Sequence, residues 1–185
     1  MKRIEAIAAV AEYAGDALIV CNIGFPSREL FAVKDRNENF YMLGSMGLAS
    51  SIGLGVALAR TDRRVVAIDG DGAVLMNLGT LATLADQAPD NYLLVIIDNE
   101  AYGSTGGQSS CTARSADLGA IALGAGVKDV RTAWDEPELV ELLRTMASGV
   151  LVARVDSQAA DGSIIELPPR DIADRFMAEC QRPSG

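Results

Sequence analysis

Residues 65–72 read Val65-Val66-Ala67-Ile68-Asp69-Gly70-Asp71-Gly72. Four apolar residues run without a polar break and stop at a turn of acids and glycines. Such a run suits a strand buried on both faces, as in a parallel sheet. The same pattern recurs outward in both directions. Ala17 to Cys21, Phe40 to Leu43, Tyr92 to Ile97 and Val150 to Ala153 are further apolar runs, and Val127 to Val130 is a weaker one. Between and beyond them, residues 2–14, 28–34, 47–60, 73–87, 116–125, 135–147 and 170–180 carry helical patterns. Ser27 is the expected cap of the second helix. The third, rich in Ala, Gly and Ser, reads as buried. Residues 34–39 read as surface and 157–169 as an extended tail. Strands alternating with helices predict an α/β fold, a parallel sheet of about six strands flanked by helices on both faces. No internal repeat and no Pro/Ser linker interrupts the pattern, so residues 1–185 are read as a single domain.

Composition narrows the function classes. The formal charge is −9, which argues against nucleic acid as a partner, because phosphate binding needs basic surface. There is no histidine, which excludes a His-ligated zinc site and a His-based triad within this chain. Cys21, Cys111 and Cys180 are far apart and form no CxxC pair; they read as reduced thiols, with Cys111 inert. The first residues do not resemble a signal peptide, and no apolar run reaches the ~18 residues of a membrane span. The expectation is a cytoplasmic protein with no membrane partner.

In open parallel sheets, ligands bind beyond the carboxyl ends of the strands. Four such ends carry unusual loops here: Asn22–Ser27, Gly44–Gly47, Asp69–Ala73 and Asp98–Gly106. The glycines at 70 and 72 let a ligand approach the backbone. A helix starting near Ala73 offers free N–H groups to an anion such as a diphosphate. Asp71 supplies one hard oxygen, Asn99 an amide oxygen and Ala101 a carbonyl, a set that suits Mg²⁺. Taken singly, Gly-Asp-Gly is a turn, and an Asn at a strand end is a turn former. Placed in order after two apolar strands, they are far more specific.

This joint pattern resembles the diphosphate-binding signature of thiamine diphosphate enzymes, a Gly-Asp-Gly followed at a set interval by Asn-Asn. Here 26 residues separate Gly72 from Asn99, within that interval. One departure is that Asp98 replaces the first Asn, leaving its role open between a family function and a strand-end cap. The resemblance implies thiamine diphosphate and Mg²⁺ as cofactors, the metal on Asp71, Asn99 and Ala101. It implies cofactor contacts at Gly24, Gly44, Ser45, Met46, Gly70, Asp71, Gly72, Ala73, Asn99, Ala101, Tyr102, Gly103 and Ser104. Gly44 would accept a hydrogen bond from the 4′-amino group through its carbonyl. Met46 would be the wedge that keeps the cofactor bent; its other reading is a core residue. With histidine absent, Tyr102 is a candidate for proton transfer.

Within that family, the segments Asn22-Ile23-Gly24, residues 40–55, Asp69–Gly72, Met76–Gly79, Leu94–Asn99 and Ala101–Gly106 are similar to the β subunits of sulfopyruvate decarboxylases. Phosphonopyruvate decarboxylases are near relatives, and Gly106-Gly107-Gln108 resembles them at least as well. The implied reaction is non-oxidative decarboxylation of a small anionic 2-oxo acid: sulfopyruvate to sulfoacetaldehyde, on the route to coenzyme M, or its phosphonate counterpart. The family also needs a pyrimidine-binding domain with an activating glutamate. One α/β domain accounts for this whole chain, so a separate α subunit is implied. Arg28 and Arg114 are candidates for the substrate's anionic tail, or plain surface arginines. Two readings from other classes stay open. A dinucleotide-dependent oxidoreductase is disfavoured because no GxGxxG follows the first strand. The other is a non-catalytic subunit that binds a nucleotide or only its partner.

Overall fold

The computed structural model describes residues 1–157 and 163–183. The apolar runs become strands β1 (Leu18–Cys21), β2 (Asn39–Tyr41), β3 (Val65–Gly70), β4 (Tyr92–Asp98), β7 (Val130–Ala133) and β8 (Gly149–Arg154). All pair in parallel, in the order β2-β1-β3-β4-β8-β7. Ala101–Tyr102 (β5) and Gln108–Ser109 (β6) form a separate small antiparallel hairpin.

Strand residues alternate between two cores, as a period of two requires. Ile19, Cys21, Val66, Ile68, Leu93 and Val95 face one side, covered by α1 (Arg3–Tyr13), α2 (Phe25–Val33) and α7 (Glu136–Thr145). Leu18, Val20, Val65, Ala67, Leu94 and Ile96 face the other, under α3 (Ala49–Ala59), α5 (Gly79–Gln87) and α6 (Leu118–Gly124). The last helix, α8 (Pro169–Gln181), closes the β2 edge, with Ile172 in the first core and Phe176 in the second. Among the described residues, no helix is long and apolar enough to cross a membrane.

Several local expectations shift. The second helix starts at Phe25, and Ser27 is no cap: Pro26 sits in its first turn, and the Ser27 hydroxyl contacts the carbonyls of Asn22 (2.7 Å) and Cys21 (3.2 Å). Asn39 is buried rather than on the surface, because its amide donates to Lys34 and Tyr41 and accepts from Arg36. The third helix starts at Ala49 and is only half buried, with Gly55 and Leu58 exposed. It lies close to the sheet at Gly53, where a Cβ would stand 3.0 Å from both Ala67 and Tyr92. The expected helix over 73–87 is two, α4 (Asp71–Met76) and α5, broken at Asn77, whose amide donates to Gly47 and Ser51. The strand expected at 127–130 lies three residues later. Val127 instead closes α6, its N–H bonding to the Ala122 carbonyl. Of the expected tail, residues 158–162 lie outside the described residues, and 169 already begins α8.

Candidate active site

Strand register sets the site. Gly70 pairs with Ile97, so Asp71 and, one residue further along the neighbouring strand, Asn99 leave the sheet together. Asp98 pairs with Arg154 one strand further on. All six strands run the same way, so all their carboxyl ends open on one edge. There a cleft of about 110 Å³ is walled by Asn22, Ile23, Phe25 and Pro26 after β1, and by Gly70 to Ala73 after β3. Ile97, Asn99 and the segment Ala101 to Thr105 form the other wall, with Met46 and Arg3 also at its lining.

Three polar groups converge at this cleft. The Asn99 amide nitrogen donates to Asp71 Oδ1 (3.1 Å) and to the Ala101 carbonyl oxygen (2.9 Å). Turned over, the same amide would set its oxygen beside those two. Oxygens around a Mg²⁺ ion at its usual octahedral distance stand about 3 Å apart, so the turned arrangement fits a small divalent cation.

The remaining Asp71 oxygen is already engaged. Its Oδ2 accepts from the Ser110 hydroxyl at 2.5 Å, and the Thr112 hydroxyl oxygen stands 3.0 Å from it. Burial pushes the Asp71 pKa upward, and the nearby Asp98 adds to this, while the Ser110 and Thr112 hydroxyls oppose it. The single hydroxyl proton of Thr112 serves either carboxylate, and its shorter contact is to Asp98 Oδ1 at 2.8 Å. Asp98 Oδ2 lies 2.8 Å from Arg154 Nη1, a charge contact rather than an aligned hydrogen bond. Asp98 thus ties β4 to the following loop and to β8, and it does not line the cleft. Just upstream, Asp69 is fully buried; it accepts from the N–H groups of Ser50 (3.2 Å) and Gly70 (3.0 Å). Burial pushes its pKa up to about 6.

Helix α4 starts at Asp71 rather than Ala73, and no side chain caps it, since Gly70 stands at the cap position. Its first N–H groups border the cleft. The glycine at 72 has a different use from the one expected. The Tyr102 ring fills the space where a Cβ on Gly72 would stand. The side that was expected to admit a ligand is closed by an aromatic ring.

The cleft brings together Met46, Gly70, Asp71, Gly72, Ala73, Asn99, Ala101, Tyr102, Gly103 and Ser104. Gly24, Gly44 and Ser45 are not at its wall. Gly24 backs onto the Ser104 side chain, and Gly44 and Ser45 are exposed in the loop after β2. Arg28 stacks on the outer side of Phe25 and Arg114 is exposed; neither lines the cleft.

The cation that does line it is Arg3, which sequence reasoning missed. Its Nε and Nη2 donate to the two Glu29 oxygens at 2.9 and 3.0 Å, both residues are buried, and Phe25 lies under the guanidinium. The signal was present: Arg3, Ile7 and Val10 share one helical face. Ser110 and Thr112 were also missed, and no spacing marks two hydroxyls in a polar loop.

Comparison with known proteins agrees with this geometry. The family described as thiamine pyrophosphate enzyme, C-terminal TPP binding domain, matches residues 27–160. The sulfopyruvate decarboxylase subunit beta of Methanocaldococcus jannaschii is 48% identical over 185 residues, covering 98% of each chain. The phosphonopyruvate decarboxylase of Streptomyces viridochromogenes is 40% identical over 174 residues, 91% of this chain but 43% of that longer protein. A solved structure from Mycobacterium smegmatis, assigned as a thiamin diphosphate-dependent enzyme, shares the fold with a TM-score of 0.67 at 24% identity, covering 84% of this chain and 31% of that one. The chain belongs to the thiamine pyrophosphate enzyme family, in the group that contains the sulfopyruvate decarboxylase β subunits.

Proposed function

We propose that this chain is the diphosphate- and metal-binding β subunit of a decarboxylase that converts sulfopyruvate to sulfoacetaldehyde, on the route to coenzyme M. The observation that carries the reading is the convergence of the Asp71 carboxylate, the Asn99 amide and the Ala101 carbonyl beside the uncapped start of α4. In this reading those three groups hold Mg²⁺. The N–H groups at the start of α4 and the Gly103-Ser104 turn hold the diphosphate. Met46, at the cleft wall, would support the cofactor, and the Gly44 carbonyl would accept from its amino group. When bound, thiamine diphosphate supplies the ring that accepts the electrons left by carbon dioxide.

The chain's own residues bind and orient; they do not complete the chemistry. Glu29 is tied to Arg3 behind the cleft wall, and no glutamate lines the cleft among the described residues. The activating glutamate is therefore assigned to a separate α subunit with the pyrimidine-binding domain. This fits the β-subunit name of the relative matched end to end, and the longer chain of the phosphonopyruvate enzyme. Exposure of Gly44 and Ser45 suits residues that a partner covers. In this division of labour the whole of residues 1–185 serves as one diphosphate-binding domain, and Tyr102 is the chain's candidate proton carrier.

The second reading is a phosphonopyruvate decarboxylase subunit, favoured by the 40% identity to that enzyme. Both readings are tested by assaying the chain with its partner on sulfopyruvate, phosphonopyruvate and pyruvate. Preference for the phosphonate would replace the first reading with the second. Asp71→Ala should abolish metal-dependent cofactor binding; unchanged binding in that variant would defeat both.

A further inference from the structure

Among the described residues, Arg3 is the one cation that lines the cleft, as Asp71 is the one carboxylate. Arg3 is only 6% exposed, yet its guanidinium is partly unused. Nε and Nη2 donate to the two Glu29 oxygens at 2.9 and 3.0 Å. Nη1 makes no hydrogen bond within the described residues, and it stands 3.8 Å from the place a Cβ on Gly103 would take. No second acid claims it. Arg3 also borders a neighbouring cavity of about 640 Å³, whose acids Glu100 and Asp156 are engaged by Arg154 at 3.2 Å and by the Met1 ammonium at 3.9 Å.

A guanidinium taken this far out of water needs acceptors for its N–H groups. Its donors form a fixed fork, and Glu29 fills one side of it. Phe25 lies 5.3 Å from the guanidinium carbon, so ring and carboxylate together set the plane of the fork. The free Nη1 is thereby held toward the turn at Gly103, and a glycine there leaves it uncovered. Glu29 cancels most of the long-range field of Arg3, so what remains favours an anion in direct contact. Phosphate oxygens suit that role, because the bond to them is charge-assisted and Arg matches their geometry. Arg3 also lies ahead of residues 27–160, the span matched to the family.

We infer that Arg3 is a further cofactor-binding residue, whose free Nη1 donates to the diphosphate beside the Gly103-Ser104 turn, and that Glu29 is the positioning residue that aims it. The inference rests on the reading of this cleft as the diphosphate site. It adds to that reading a side-chain cation, where the strand-end loops alone offer backbone N–H groups and a hydroxyl.

The test uses the chain assembled with its partner subunit, at saturating Mg²⁺ and with no substrate present. Equilibrium dialysis measures binding of thiamine diphosphate and of thiamine monophosphate, and urea unfolding is followed on the same proteins. Arg3→Met with Glu29→Leu strands no charge and is the variant expected to fold. It should bind thiamine diphosphate about 10–100-fold more weakly than wild type, the worth of one hydrogen bond from a charged group. The loss should be smaller for thiamine monophosphate, which carries less charge. Glu29→Gln keeps an acceptor for the guanidinium and removes the opposing charge, so it should bind the diphosphate at least as tightly as wild type. A pair that serves only as a strut between α1 and α2 would give the reverse: binding restored along with stability in the double variant, and weakened in Glu29→Gln. Either result would overturn the inference, as would equal losses for the two thiamine phosphates. If Asp71→Ala binds thiamine diphosphate as wild type does at every Mg²⁺ level, the reading of the cleft itself falls, and the inference with it.

Discussion

The aromatic ring of Tyr102 occupies the place where a side chain on Gly72 would stand. The glycine of the acid–glycine turn is thereby committed to its own chain, and the hairpin that carries Tyr102 is seated on the start of α4. Adding one methyl at Gly72 must displace the ring. Gly72→Ala is expected to destabilise by about 1–3 kcal/mol, the usual cost of overpacking, and to weaken cofactor binding. Removing the ring as well, in Gly72→Ala with Tyr102→Ala, should recover much of the lost stability. Urea unfolding of the two variants checks this; equal destabilisation in both would show that the ring is not what excludes the methyl.

Arg3 and Glu29 form a buried bidentate pair that joins α1 to α2 beside the cleft. Removing one partner of such a pair strands a charge, at a cost of about 3–5 kcal/mol. Arg3→Met should lose that amount in chemical denaturation. Arg3→Met combined with Glu29→Leu should lie well above the single variant, because no charge is then left unpaired.

Asp69 gives a pH dependence with a definite sign. Burial raises its pKa from 3.8 to about 6 in the folded chain. Between these values the unfolded chain has released a proton that the folded chain still holds. The stability tied to this group is therefore whole below about pH 4 and is lost as pH rises through 6. Asp71 is shifted in the same direction, so a variant is needed to isolate the effect. Measured against wild type, Asp69→Asn should gain about 3 kcal/mol of relative stability between pH 4 and pH 7. A stability difference flat across that range would refute the assignment.

Asp98 and Arg154 should respond unequally. Arg154→Met leaves the buried Asp98 charge without its cation and is expected to cost about 3–5 kcal/mol. Asp98→Asn removes the charge, keeps an acceptor for Thr112, and leaves Arg154 its contact with Glu100 at 3.2 Å. Its cost should be nearer 2 kcal/mol, about that of one charged hydrogen bond. Cofactor binding should survive in Asp98→Asn, because Asp98 does not line the cleft; thermal melts and dialysis read the two effects separately.

Much of the architecture was legible because burial on both faces writes itself as uninterrupted apolar runs. Val65 to Ile68 and Tyr92 to Ile97 lie in strands as expected, and their ends carry the cleft. Boundaries decided by tertiary hydrogen bonds were not legible. Ser27 has the composition of a cap, yet its hydroxyl serves the preceding loop. Asn39 has the composition of surface, yet three partners bury it. In the site, Asp71, Asn99 and Ala101 come from two adjacent strand ends, where register makes sequence order a guide to position. Ser110 and Thr112 return to Asp71 only through the path of the hairpin, which no periodicity encodes. Arg28 and Arg114 were chosen for their loops, whereas Arg3 reaches the cleft from a helix face that looked wholly structural.

That hairpin carries the Ala101 carbonyl on its first strand and is followed, one residue past its second, by the Ser110 hydroxyl on Asp71. Both roots of one short ribbon are thus coupled to one carboxylate. A cation held among the three oxygens would sew the ribbon down at both roots, and departure of the cofactor would require both seams to open. The loaded protein is expected to exchange its cofactor slowly, and the ribbon tip at Gly106-Gly107 should then resist a protease that cuts it in the stripped form.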